Sequence, residues 1–552
     1  MTATIKLKAM VRRTAKLGFI GLLSGQVMAV GVLPPELDPM GQMREYQRRQ
    51  MQIIARLKQL VVAPEIVVRP PPTSSDSELS FVLQNIRFTK SEIFTRDELV
   101  EIVSPYMGKD TGFETLNHLV QAVNVAYRNK GILSAEALLP QQDIVDGTVI
   151  IQLVEGKLGN LLVEGNRYIE SGYVREWIRQ ASGKNLINAQ ELEVDMTRFN
   201  RVNDAQVYAN ARAGTEFGLT DIVIVVEEPQ QNSVQVFVDN YGYESSGEYE
   251  FGVIYRRNGV FTGNDRAYVY AQATAGNVAL NANYNTPYRN TGWRFGGGLS
   301  ASAVDILTGD FKDIAVEGTS YSVSADATWL AISEKDYWVN ATGSISTGIS
   351  ETSVATVLIS DYATHRINLG VNATRVLPQW RLTGQQSIEG ISTENALVAD
   401  SQQNLMMLSG SASATFQPKS GVWYGLSQFN YQYTDETGLP GALAFSLGGP
   451  TSIRGFKPGI VSGDTGAQGS VEVHKTGIQW QGTQLDPFVF YDVGSVWSLN
   501  PTQTAKAAGV GISWSTKQNL SFDVTYAKAI EEVVPNQAET MVYGRVTWAW
   551  GK

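Results

Sequence analysis

The sequence contains no cysteine and only three histidines in 552 residues. Without cysteine there is neither a disulfide framework nor thiol chemistry. His118, His365 and His474 stand far apart and lack the spacing of metal ligands, so each reads as a lone structural or surface histidine and no metal or other cofactor is implied. Neither a Gly-x-Ser-x-Gly elbow nor a phosphate-binding P-loop occurs, which argues against a lipase and against nucleotide-driven work; the chain is expected not to be an enzyme. The formal charge of -10 comes with no basic face to displace counterions, which argues against nucleic acid as the general partner. No apolar run reaches the roughly 20 residues of a spanning helix, so residence in a membrane would require a closed barrel.

What is present fits that requirement. The chain carries 52 glycines, 23 tyrosines and 11 tryptophans with a mean hydropathy of -0.13. A polar average rich in aromatics suits strands that alternate lipid-facing and lumen-facing residues; on composition alone a soluble multidomain protein fits as well. The length exceeds one compact core, so at least two domains are expected.

Lys6, Lys8, Arg12, Arg13 and Lys16 precede an apolar run from Leu17 to Ala29 that ends in Val27-Met28-Ala29. This order predicts a cleavable secretory signal over residues 1–29. Asp38-Pro39 then opens an amphipathic helix over 38–60, with Met43, Tyr46, Ile53, Ile54, Leu57 and Leu60 at roughly helical spacing. Arg44, Arg48, Arg49 and Arg56 form its basic face, which a surface-packed helix would leave in water. Residues 61–80 hold Pro64, Pro70, Pro71 and Pro72 and read as an extended linker, long enough to span roughly 60 Å.

Two small α+β units follow. In residues 81–156, Phe81–Phe88 reads as a strand, Thr95-Arg96-Asp97-Glu98 as a capping box, and Leu116, Leu119, Val120, Val123 and Tyr127 as one face of a helix stopping at Gly131. Strands at Ser134–Leu139 and Thr148–Val154 complete the unit. Residues 157–228 repeat the order with a strand at Leu161–Gly165, a short helix over Tyr173–Arg179, a second capping box at Asn188–Glu191, and strands at Gln206–Arg212 and Asp221–Val226.

Helical signals then fade. Over 229–552, Val234, Val236 and Val238 oppose Gln235 and Asp239, and Val542, Gly544, Val546, Trp548 and Trp550 oppose Tyr543, Arg545 and Thr547. One apolar and one polar face at period two, over roughly 320 residues, predicts a transmembrane β-barrel of about 16 antiparallel strands.

Within it, Gly448-Gly449-Pro450-Thr451-Ser452-Ile453-Arg454-Gly455-Phe456 sets one arginine in a glycine-flanked loop, and Phe490-Tyr491-Asp492-Val493-Gly494 sets an aspartate in an apolar strand. An Arg-Gly pair alone reads as an ordinary loop arginine. Glycines at 448, 449, 455 and 459 permit a tight hairpin that folds back, and a buried charge needs a partner, so Arg454 is expected to meet Asp492 bidentately.

Taken together, the signal, amphipathic helix, linker, two units and paired motifs resemble an outer-membrane transporter of two-partner secretion, the TpsB family. The resemblance implies POTRA units in the periplasm of a Gram-negative bacterium, a 16-stranded barrel in outer-membrane lipid, and a sixth extracellular loop folded inward. It makes Arg454, Gly455 and Phe456 a conformational lock, with Asp492, Phe490 and Gly494 its wall partner, and the helix 38–60 a plug. The implied cargo is an unfolded exoprotein: a β-helical adhesin, a haemolysin, a contact-dependent toxin or a haem-acquisition protein. Periplasmic chaperones and the barrel-assembly machinery are implied partners of the transporter itself. A sheet edge can add an unfolded strand, and Ser134, Ala135, Glu136, Ala137, Leu138 and Leu139 are the expected edge. The chain departs from the usual terminal aromatic, since Gly551-Lys552 follow Trp550. A passive porin and a barrel-assembly factor remain as alternatives.

Overall fold

A computed structural model describes residues 35–59, 81–132, 135–155, 157–179, 189–215, 219–309, 311–498, 502–517 and 519–551. The expected signal segment, the linker over 61–80, Ser134 and Asn188 lie outside the described residues.

Helix α1 spans Pro39–Gln59. Its start is fixed by Asp38, whose carboxylate accepts the backbone N–H groups of Met40 and Gly41, the capping chemistry that a helix N-terminus requires.

The first α+β unit runs β1 (Phe81–Val82), β2 (Asn85–Phe88), α2 (Arg96–Val103), β3 (Asp110–Thr111), α3 (Phe113–Asn129), β4 (Ala135–Leu138) and β5 (Thr148–Glu155). The expected single strand over 81–88 is split: the carbonyl of Gly147 takes the N–H groups of both Gln84 and Asn85, and Leu83 turns fully into the core. The Thr95–Glu98 capping box is formed in both directions. Helix α3 lays Leu116, Leu119, Val120, Val123 and Tyr127 on the sheet and ends where Gly131 takes a φ of 76°, which only glycine adopts without steric cost. The sheet order is β2-β5-β4, so β4 is an edge.

The second unit comprises β6 (Lys157–Glu164), α4 (Ser171–Trp177), α5 (Ala189–Val202), β7 (Gln206–Ala213) and β8 (Leu219–Glu227), with sheet order β6-β8-β7. Its core packs Trp177 and Phe199 edge to face at 5.7 Å over Val174, Leu192 and Ile224. Truncating a ring as enclosed as Phe199 typically costs about 3–5 kcal/mol. The unit is seated on the barrel: Leu330 joins its core, Arg201 donates to Ser333 and Lys335 while covering the Trp338 ring, and Asp204 pairs with Arg266 and Arg294.

Sixteen antiparallel strands close into a barrel, from Asn232–Asp239 to Thr540–Gly551, the twelfth broken after Lys475 and resumed at Ile478–Trp480. Val238, Val524, Tyr526, Val546, Trp548 and Trp550 are exposed on the outside, whereas Asp239, Glu250, Glu472, Asp492 and Arg545 are buried. That split is the period-two pattern of a lipid-facing wall around a polar interior. Among the described residues no helix is long and apolar enough to cross a membrane, a test that does not concern strands. The first and last strands pair over seven residues, Ser233–Asp239 with Arg545–Gly551.

Candidate functional site: the filled barrel interior

The connection between the eleventh strand, Trp423–Tyr433, and the twelfth, Gly466–Lys475, does not extend outward. It folds into a short hairpin, Phe445–Leu447 with Val461–Gly463, and packs Leu447, Ile453 and Phe456 on Val496, Ala505 and Ala507 of the wall. Glycine permits the fold at two kinds of place. Gly448 and Gly449 hold φ values of 97° and 92°, a region closed to most side chains. Gly455 has no such φ, contrary to the expectation of a turn glycine. Its role is proximity, because a Cβ there would lie 2.7 Å from the Ala507 methyl and 2.9 Å from the backbone nitrogen of Ala529. Gly494 likewise leaves room for Leu447 and Ile453.

This path delivers Arg454 to Asp492. Nε donates to Oδ2 at 2.8 Å, Nη2 to Oδ1 at 2.7 Å, and the Arg454 backbone N–H to Oδ2 at 3.0 Å. The expected bidentate pair is therefore present, and it has company. Nη1 donates to Glu472 at 2.6 Å and Nη2 to Ser470 at 2.8 Å, while the guanidinium lies 3.5 Å from the centroid of Phe490. Asp492 has no exposed surface. A cation facing two carboxylates and a ring face is satisfied on every side, the condition under which a buried ion pair persists.

The network continues past what the sequence reading reached. Glu472 also meets His474 Nε2 at 2.8 Å, and His474 Nδ1 lies 3.1 Å from Asp486. The imidazole is stacked between Tyr424 and Phe488 at 4.5 and 4.6 Å. His474 is thus a buried member of a charged network rather than a lone histidine. The signal was available in Gln468, Ser470, Glu472 and His474, which alternate with Gly469, Val471 and Val473 and so share the inner face.

Helix α1 lies inside the barrel. Met43 and Tyr46 pack on Ala279, Gln42 reaches Ser246 and Asn277, and the Pro39 carbonyl accepts from Ser302. The expectation of a wet basic face is corrected here. Arg49 is 3 % exposed; it donates to the Tyr241 carbonyl at 2.6 Å and pairs with Glu250 at 3.3 Å. Arg44 donates to the Ala442 carbonyl, and Arg48 pairs with Glu45 on its own helix at 2.6 Å. The side chain of Arg56 lies outside the described part. The reason for the inversion is that the surroundings are a barrel lumen rich in acceptors, so arginine finds partners there that bulk water would otherwise supply.

Two links tie these parts together. The loop residue Ala442 donates its N–H to Asp38 at 2.8 Å and accepts from Arg44, so loop and helix hold each other. At the closing seam, Arg545 Nε donates to Asp239 at 2.8 Å, Asp239 stands opposite Glu250 in register, and Glu250 takes Arg49. Two cations and two carboxylates therefore join the helix to the first, second and last strands. Tyr543 of the last strand donates to the Phe456 carbonyl at 2.6 Å.

The expected edge at Ala135–Leu138 is an edge of its sheet, but Asn124 occupies it: Nδ2 donates to the Ala137 carbonyl at 3.3 Å, and Oδ1 accepts the Ala137 N–H at 2.6 Å. Leu139 follows the strand and packs partly against the unit's core. No metal-binding group of carboxylates and histidines occurs among the described residues.

Residues 218–516 match the model of the haemolysin secretion/activation protein family ShlB/FhaC/HecB, and residues 81–156 match the ShlB-type POTRA domain. The chain belongs to the haemolysin secretion/activation protein family. It is 23 % identical over 566 residues to the heme/hemopexin transporter protein HuxB of Haemophilus influenzae, covering 96 % of each chain. It is also 23 % identical over 465 residues to the outer membrane transporter CdiB of Dickeya dadantii, covering 80 % of each. The solved structure of CdiB from Escherichia coli superposes with a TM-score of 0.66 at 18 % identity, over 95 % of this chain and all of that one. That likeness concerns the fold: a POTRA region and an N-terminal helix with a closed barrel. As a member of this family the chain is an outer-membrane transporter of the two-partner secretion type, with its POTRA units in the periplasm.

Proposed function

We propose that this transporter receives an unfolded exoprotein at its POTRA units and passes it through the barrel, with α1 as a plug and Arg454 as the lock of the inward loop. One observation carries the reading. The lumen is filled by two elements of the chain itself, α1 and the loop, and they meet at Ala442. A static solute pore has no use for contents tied by hydrogen bonds that can be exchanged for water, whereas a gated conduit requires removable contents. The 2.6 to 3.3 Å contacts of Arg49 and the contacts of Asp38 define the resting state.

Transport in this reading consumes no nucleotide. Folding of the cargo outside removes the unfolded form from the equilibrium and gives the direction. The names of the relatives point to two cargo classes, a haem-acquisition protein of the kind a heme/hemopexin transporter serves and the cargo of a CdiB transporter; the first has the longer match. Deleting the gene is expected to remove one large protein from the culture medium while other outer-membrane proteins keep their levels. Loss of many barrel proteins together would instead indicate an assembly factor.

A further inference from the structure

A cavity of about 390 Å³ lies inside the barrel between α1 and the wall of the second to eighth strands, Glu250–Asn258 to Val357–Leu377. One row of this wall runs in register from Arg256 through Tyr268, Asn283, Gly298, Ser324 and Ser346 to Arg366. Met40, Met43 and Gln47 of α1 form the opposite side, and Gln47 donates to Ser300 of the wall at 3.0 Å. The lining is made of hydroxyls, amides and the arginines 44, 256, 266 and 366, and among the described residues it holds no aspartate or glutamate. A chain with a formal charge of -10 has thus kept its acids out of this space.

The arginines are unequally served. Arg44 donates to the Ala442 carbonyl, and Arg266 pairs with Asp204, which it shares with Arg294. Among the described residues neither Arg256 nor Arg366 makes a hydrogen bond or an ion pair, and Nη2 of Arg366 is shut off from solvent with no partner. The charges that act most strongly on Arg256 are Arg266 and Asp204, so a single carboxylate stands among three arginines at the end of the lumen nearest the second POTRA unit. Asp326 occupies the next row, opposite Gly296 and Ser344, and does not line the cavity. A guanidinium drawn out of water without a partner is complementary to a carboxylate, which its fork can hold bidentately.

We infer that this cavity is the entry track of the unfolded exoprotein, and that Arg256 at the mouth and Arg366 deeper in the wall hold aspartate and glutamate side chains of the passing segment. The inference rests on the export reading above and names the chemistry of the segment that enters first. The row crosses six strand spacings, about 29 Å along the wall, which roughly nine extended residues would span. Between its two cations the side chains are short hydroxyls and amides, which exchange hydrogen bonds with a moving backbone. A cleft lined by one sign of charge focuses its field and raises the local concentration of the opposite charge. A segment drawn in here lies against Met40, Met43 and Gln47, the contacts that part when α1 leaves.

The first test follows the exoprotein whose release into the medium is lost when the gene is deleted, in cells carrying the full-length transporter. Arg256→Glu with Arg366→Glu is expected to lower release about tenfold at unchanged barrel level, and Arg256→Lys with Arg366→Lys to retain most of it. Arg257→Glu, on the exposed face beside Arg256, should secrete normally. The second test needs no variant. An unfolded aspartate-rich peptide or a lysine-rich peptide of equal length is added to the POTRA side of the native transporter in a planar bilayer. The acidic peptide is expected to interrupt the current at about tenfold lower concentration, an advantage that shrinks as salt is raised. Equal interruption by the two peptides, or wild-type release by the double glutamate variant, overturns the acidic track while leaving the export reading intact. If the double glutamate variant does not assemble, the peptide comparison decides the matter. If gene deletion removes no protein from the medium, the export reading itself falls.

Discussion

Arg454 and Asp492, 38 positions apart in sequence, are joined by three hydrogen bonds of 2.7 to 3.0 Å, one of them from the arginine's own backbone. Because the loop backbone is part of the contact, the pair fixes the chain path of the loop as well as the side chain. Arg454→Ala leaves Asp492 and Glu472 buried together without their cation, a change that typically costs about 3–5 kcal/mol. The expected outcome is a lower denaturation midpoint of the purified barrel and a loop newly open to protease. Gly455→Ala is expected to do the same with the arginine retained, since the backbone at Ala529 leaves no room for a methyl group. Protease resistance of both variants at the wild-type level would show that the loop is held by its apolar packing alone.

The contact of Arg49 with Glu250 is expected to control leak if α1 is the plug proposed above. Arg49→Ala leaves Glu250 beside Asp239 with only Arg545 to serve both, which destabilises the seated helix by about 3–5 kcal/mol. Planar-bilayer recordings should then show longer and more frequent open events than the wild type. Arg48→Ala, which breaks only a contact within the helix, should be close to neutral. Equal traces for the two variants would contradict the assignment.

The first POTRA unit carries a helix cap whose strength depends on pH. Lys130, followed by the backbone N–H and hydroxyl of Thr95, holds the Glu98 carboxyl down at about 2, from an ordinary 4.5. A depressed carboxylate stabilises the fold above its unfolded value and loses that contribution as pH falls through the folded one. The Glu98 cap is thus fully effective above about pH 5 and fades toward pH 2. A carboxyl titration followed by NMR on the intact protein should give Glu98 the low midpoint, and Lys130→Ala should move it up toward the ordinary value.

Much of this was legible in the chain. Alternation at period two is local, so the barrel and its lipid face could be read from Val234–Asp239 and the last strand. The Arg454–Asp492 pair was legible because a charge in an apolar strand and a charge in a glycine loop each lacked an explanation. The basic face of α1 was not. Its partners lie far off in sequence, Glu250 at 201 positions and Tyr241 at 192, and an amphipathic pattern looks the same in water and in a polar lumen. The break at Leu83 and the proximity role of Gly455 also depended on neighbours remote in sequence, Gly147 and Ala529.

In the proposed function α1 leaves the lumen for the cargo to pass. The natural chain has no cysteine, so Met43→Cys with Ala279→Cys, residues that pack together in the seated state, introduces one addressable pair. Release of the exoprotein from cells carrying this double variant should stop under oxidising conditions and resume on adding reductant, while each single variant secretes normally. Undiminished release with the disulfide formed would contradict the account.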